Sequence, residues 1–116
     1  MTKDHKLYLN HILESIVLLE KYFTGVTKEQ FDDSDEKHDL AVRRLEVIGE
    51  AARNIPEDFK KQHPDIPWRD IGDMRNVLIH EYFDVDYDIV WKTYTQFIPP
   101  LKKQIEEILQ KENGNK

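Results

Sequence analysis

The sequence predicts an all-α protein, an up-and-down helical bundle of four to five helices, and three observations carry that expectation. Apolar residues return at three- and four-residue spacing along most of the chain, most regularly at Ala41, Leu45, Ile48, Ala52 and Ile55. No stretch alternates apolar and polar residues with the two-residue period of a half-buried strand. The interruptions between periodic stretches hold the residues that start and stop helices, such as Gly25, the acidic cluster Asp32 to Glu36, Pro56 and the pair His63-Pro64.

Taken in order, Leu9, Ile12, Leu13, Ile16 and Phe23 make one apolar stripe, which predicts a first helix over about Asp4 to Phe23. Gly25 ends it, and Thr27-x-x-Gln30 has the form of a capping box for a short turn. The acidic cluster from Asp32 to Glu36 reads as a loop and a helix start, because carboxylates there oppose the helix dipole. A second long helix runs to about Asn54, with Gly49 in its middle as a point of close helix crossing. Pro56-Glu57-Asp58 opens a short helix with proline and acids in its first turn. The segment His63 to Trp68 contains two prolines and forms a rigid turn anchored by Trp68. A helix from about Arg69 to Tyr82 follows, burying Ile71, Met74 and Leu78. Asp84 or Asp86 caps the last long helix, whose inner face is Val90, Phe97, Leu101, Ile105 and Ile108. Pro99-Pro100 should kink or break it, since proline lacks a backbone donor and its ring meets the preceding turn.

At 116 residues the chain has room for one core, expected over residues 1–110, with residues 111–116 as a disordered polar tail. With no cysteines, disulfides, thiolate metal sites and cysteine nucleophiles are excluded. The histidines His5, His11, His38 and His63 show no ligand spacing, so they read as surface or capping residues and no metal site is expected. No apolar run approaches a membrane span, and the first residues lack the apolar core of a signal peptide, so a cytoplasmic location is expected. The net charge of −6 opposes a nucleic-acid partner, yet all five arginines fall between Arg43 and Arg75. Arg43 and Arg53 read most simply as surface residues paired with acids such as Glu46 and Glu50; a locally basic groove remains an open alternative.

The octet Arg75-Asn-Val-Leu-Ile-His-Glu-Tyr82 carries the chemistry. Arginine offers a fixed-charge fork suited to phosphate, and histidine exchanges a proton near neutral pH. The pair suits phosphodiester cleavage in which the RNA 2′-hydroxyl is the nucleophile, with neither metal nor cofactor required. His80 would move the proton, Arg75 would stabilise charge on the phosphorane oxygens, and Asn76 would orient either group. One straight helix turns about 140° over five residues, so a single copy does not bring Arg75 and His80 to one phosphate. The ordinary alternative pairs Arg75 with Asp70, Asp73 or Glu81, places His80 as a cation at a helix end, and makes Tyr82 a packing residue.

The octet matches the Arg-x4-His-x-Tyr signature of HEPN-domain proteins, and the chain resembles the HepT toxins that pair with minimal nucleotidyltransferase antitoxins. The blocks Arg44 to Ala51, Pro67 to Phe83 and Val90-Trp91 extend the resemblance over roughly Leu7 to Leu109. The resemblance implies a two-fold homodimer with the motif helices facing across a cleft. It implies the ribonuclease toxin of a type VII toxin–antitoxin system, acting on RNA through Arg75 and His80. It further implies silencing by AMP transfer to Tyr82 from the cognate nucleotidyltransferase. A different class of function is a non-catalytic helical module, binding nucleotide or a nucleotidyltransferase through the same residues.

Overall fold

A computed structural model describes residues 4–80 and 85–114, with side chains described for 4–74 and 85–113. Among these residues every regular element is helical. The first helix, α1 (His5–Phe23), starts where the Asp4 carboxylate accepts the Lys6 N–H at 2.9 Å. It stops at Gly25, whose φ of 83° is the left-handed conformation that glycine adopts without a Cβ penalty. Leu9, Ile12, Ile16, Leu19 and Phe23 line its buried face. The capping box is present on α2 (Lys28–Asp32), where the Thr27 hydroxyl and the Gln30 side chain satisfy each other's backbone donors.

Ser34 caps α3 (Asp35–Asn54), and the expected seam of Ala41, Leu45, Ile48, Ala52 and Ile55 is buried throughout. A fully buried leucine or isoleucine contributes about 1.5–3 kcal/mol, so this seam dominates any surface ion pair on the same helix. Helix α3 packs against both α1 and α5 (Trp68–His80), and the last helix leans on α1. Between α3 and α5 lies the short α4 (Glu57–Gln62), with Pro56 at its N-cap and Phe59 buried beneath it. Asp86 caps α6 (Tyr87–Lys92), its carboxylate accepting the Asp88 N–H at 3.0 Å; Asp84 lies outside the described residues.

The structure departs from the expected break at Pro99-Pro100. The helical path continues from α6 through a π-helical turn (Thr93–Phe97) into α7 (Ile98–Gly114), with both prolines in the first turn of α7. The Ile98 N–H bonds the Thr93 carbonyl five residues back, so the widened turn comes just before the two missing donors. The hydroxyls of Thr93 and Thr95 also bond the carbonyls of Ile89 and Trp91, at 2.8 and 3.0 Å. Helix α7 runs on to Gly114, through the first four residues of the expected tail, and Lys6 Nζ reaches Asn113 at 3.3 Å.

Two histidines also depart from the surface reading. The His38 side chain is 11 % exposed, stacked 3.9 Å from Tyr87 and edge-on to Phe31 at 4.9 Å. His5 is half-buried, stacks 4.3 Å from Phe59 and places Nε2 2.5 Å from a Glu112 oxygen. Both act as flat aromatic fillers, a role that depends on neighbours from distant elements. His11 is exposed and His63 caps α4 as expected.

Candidate active site

The helix carrying the octet is anchored at its start. The Trp68 indole N–H donates to the His63 carbonyl at 3.0 Å, closing the two-proline turn, and Ile66 and Trp68 are buried beside it. One turn further on, Ile71 is fully buried. From this anchored end α5 continues unbroken through Arg75 and Asn76 to His80. Over the five residues from Arg75 to His80 such a helix advances about 7.5 Å and turns about 140°. The three positions therefore share one rigid rod, and the rod by itself does not converge them on a point. Their side chains and that of Leu78 lie outside the described residues, as does Tyr82 altogether.

Two grooves flank the described half of α5. One, of about 570 Å³, lies between α5 and the α6–π segment, with Asp70, Met74, Ile89, Thr93 and Phe97 among its walls. Ile89 there is 57 % exposed, an unusual position for an isoleucine. The other, of about 640 Å³, opens between the end of α3, α4 and the start of α5. Arg53, Lys60, Lys61 and Arg69 line it. The acids of the first turns of α5 are partly engaged nearby, since Asp73 lies 4.0 Å from Arg69.

Arg43 follows the sequence expectation, with Glu46 at 4.0 Å. Arg53 does not: its aliphatic stem lies across Gly72 of α5, and among the described residues it makes no ion pair. The sequence signal for that arrangement was Gly72 itself, a glycine inside a helix where propensity disfavours it. Among the described residues no group of three or more histidine, aspartate or glutamate side chains is arranged to hold a metal ion. Nor is any described helix long and apolar enough to cross a membrane.

A family described as "Ribonuclease HepT-like" matches residues 12–108. A Thermococcus cleftensis protein named "Probable ribonuclease HepT" is 44 % identical over 108 residues, covering 93 % of this chain and 98 % of that one. A Caldanaerobacter subterraneus subsp. tengcongensis protein with a provisional RNase name is 44 % identical over 110 residues, 95 % of this chain and 98 % of the relative. A Methanocaldococcus jannaschii protein, named for a gamma-glutamylcyclotransferase joined to a provisional RNase, is 43 % identical over all 116 residues. The chain spans 52 % of that longer relative. No solved structure matches the chain. With the family match running over nearly the whole bundle, from α1 to α7, the chain belongs to the HepT-like ribonuclease family.

Proposed function

We propose that this protein is a metal-independent RNA endonuclease, the toxin of a type VII toxin–antitoxin pair, acting in the cytoplasm. Arg75 and His80 are its catalytic residues and Asn76 supports them. The observation that carries the reading is the unbroken course of α5 from its buried anchor at Trp68 to His80, which makes the Arg-x4-His pair a feature of one rigid element. In the reaction, the 2′-hydroxyl loses its proton to a base and attacks the adjacent phosphorus. The P–O5′ bond breaks, the leaving 5′-oxygen gains a proton, and a 2′,3′-cyclic phosphate remains. Histidine suits both proton transfers, and the arginine fork suits the charge on the phosphorane oxygens.

The 140° turn between the two positions is the argument for a two-fold homodimer. With the α5 helices of two copies facing each other, the arginine of one copy meets the histidine of the other on a single phosphate. In the same reading Tyr82, two residues past the end of α5, accepts AMP from the cognate nucleotidyltransferase, and the adduct silences the enzyme. The net charge of −6 favours a second reading, a non-catalytic module that binds nucleotide or the nucleotidyltransferase. Cleavage of RNA by the purified protein in excess EDTA separates the two. The ribonuclease reading requires cyclic-phosphate ends and a loss of about 100- to 10,000-fold in rate for both Arg75→Ala and His80→Ala. Cleavage that stops in EDTA and returns with magnesium would overturn the metal-independent mechanism.

A further inference from the structure

We infer that the groove between α3, α4 and α5 is a second phosphate-binding site, which holds the RNA strand flanking the scissile phosphate. The inference rests on the ribonuclease reading and adds a substrate track to it. Three helix ends converge on the groove: Arg53 comes from the last turn of α3, Lys60 and Lys61 from that of α4, and Arg69 from the first turn of α5. Against these four cations stand Glu57 and Asp73, so a chain of net charge −6 is locally positive here.

The cations of α3 and α4 lie at helix C-termini, where they also serve the helix dipole. Arg69 has no such account. It sits at the N-terminal end of α5, where a cation opposes the dipole, and its side chain is 94 % exposed. Gly72 is the second feature that helix stability does not explain. A Cβ at that position would come within 3.1 Å of Arg53 Cγ, so the glycine lets the arginine stem lie flat on α5. Arg53 is thereby held against α5 one turn before Arg75, about 4.5 Å along the helix axis. A strand lying over Gly72 is therefore led along α5 toward the catalytic arginine. The contact of Arg69 with Asp73 at 4.0 Å is a loose, solvent-facing pair that a phosphate displaces at little cost, whereas Lys60, half-buried, lies 3.5 Å from an exposed Glu57.

The test uses the full chain and a fluorescent 2′-O-methyl RNA, which cannot be cleaved because its nucleophile is blocked. Binding is followed by anisotropy across a series of potassium chloride concentrations. Each lost phosphate contact on a single strand reduces the slope of log affinity against log salt by about 0.7, so Arg53→Gln/Arg69→Gln should make it shallower by about 1.4. Lys103→Gln, on the exposed face of α7, should leave the slope unchanged. An unchanged slope in the double variant, or no RNA binding by wild type, overturns the site. Competition by polyglutamate as effective as by RNA would assign the groove to an acidic protein and overturn it equally. Cleavage of a short unmodified RNA is measured in parallel. If wild type binds with the expected slope change yet cleaves nothing, the ribonuclease reading fails while the groove stands.

Discussion

The side chain of Arg53 crosses Gly72 so closely that a Cβ on the glycine would come within 3.1 Å of Arg53 Cγ. The contact joins the end of α3 to the helix that carries the Arg-x4-His pair, and it is made by a flexible stem over bare backbone. Substituting Gly72→Ala therefore sets two effects against each other. Helix propensity favours alanine by about 1 kcal/mol. The crowding requires Arg53 to shift by a few tenths of an ångström, which an exposed arginine does readily. The expected outcome is a protein as stable as wild type or more so, by up to about 1 kcal/mol in urea unfolding, with weaker RNA binding. Unchanged RNA affinity would mean that the placement of Arg53 does not matter to the ligand.

His38 offers a test of the aromatic cluster at α2, α3 and α6. Its Nε2 is buried and finds no hydrogen-bond partner among the described residues, and Asp35 is 4.0 Å from Nδ1. Leaving a buried polar atom unsatisfied costs about 1–3 kcal/mol, whereas its ring contacts with Tyr87 and Phe31 are available to any flat aromatic. His38→Phe should raise the unfolding free energy by about 1 kcal/mol, measured in denaturant. A destabilised His38→Phe would show that the imidazole nitrogens have partners that matter.

The seam of α3 was legible because one physical quantity, burial against two neighbours, repeats with the helix period at Ala41, Leu45, Ile48, Ala52 and Ile55. Two caps were legible for a similar reason, Thr27 and, as one of two candidates, Asp86, since each acts on backbone two or three residues away. The caps Asp4 and Ser34 act over the same range but are not singled out in the sequence. What failed to show was anything settled between distant elements. The proline pair does remove two donors, but the π-turn that precedes it keeps the chain helical between α6 and α7. His38 sits between Tyr87 and Phe31 only because α6 and α2 close over α3. The octet marks α5 as the helix of the proposed site, whereas the basic groove depends on three helix ends contributed by different stretches of the sequence.

Stability should fall on the alkaline side of about pH 10. The hydrogen bonds that Lys28 donates to Asp32 and then Asp88 raise its pKa above 10.5, and the bond that Lys102 donates to Glu20 raises its pKa likewise. Burial, with a smaller push from Glu20, raises Tyr94 above 10.0. Each group thus keeps its proton to higher pH in the folded protein than in the unfolded chain. Between the two values the unfolded state binds fewer protons, so stability declines as pH rises through this window and is fully present below it. Thermal melts between pH 9 and pH 11 should show the decline, and Lys102→Met should make it shallower. Identical pH profiles for the two proteins would remove the Lys102–Glu20 pair from this account.

The last prediction concerns the proposed switch at Tyr82. Positions 75 and 82 are seven residues apart, a spacing that on a continuing helix returns to within about 20° of the same face, some 10 Å along the axis. An AMP group on the Tyr82 hydroxyl would then carry its phosphate toward Arg75 and compete with RNA for the same donors. It would also add negative charge to the strand's path from the basic groove to the scissile phosphate, so RNA binding should weaken along with cleavage. Incubation with the cognate nucleotidyltransferase and ATP should add one AMP mass per chain to wild type and none to Tyr82→Phe. The phenylalanine variant should cleave RNA at the wild-type rate, since the hydroxyl has no part in the proton transfers, and should continue to do so after that incubation. Equal adduct on both proteins would place the acceptor elsewhere. An adduct confined to wild type that left cleavage and RNA affinity intact would separate the modification from the phosphate site and end the competitive explanation.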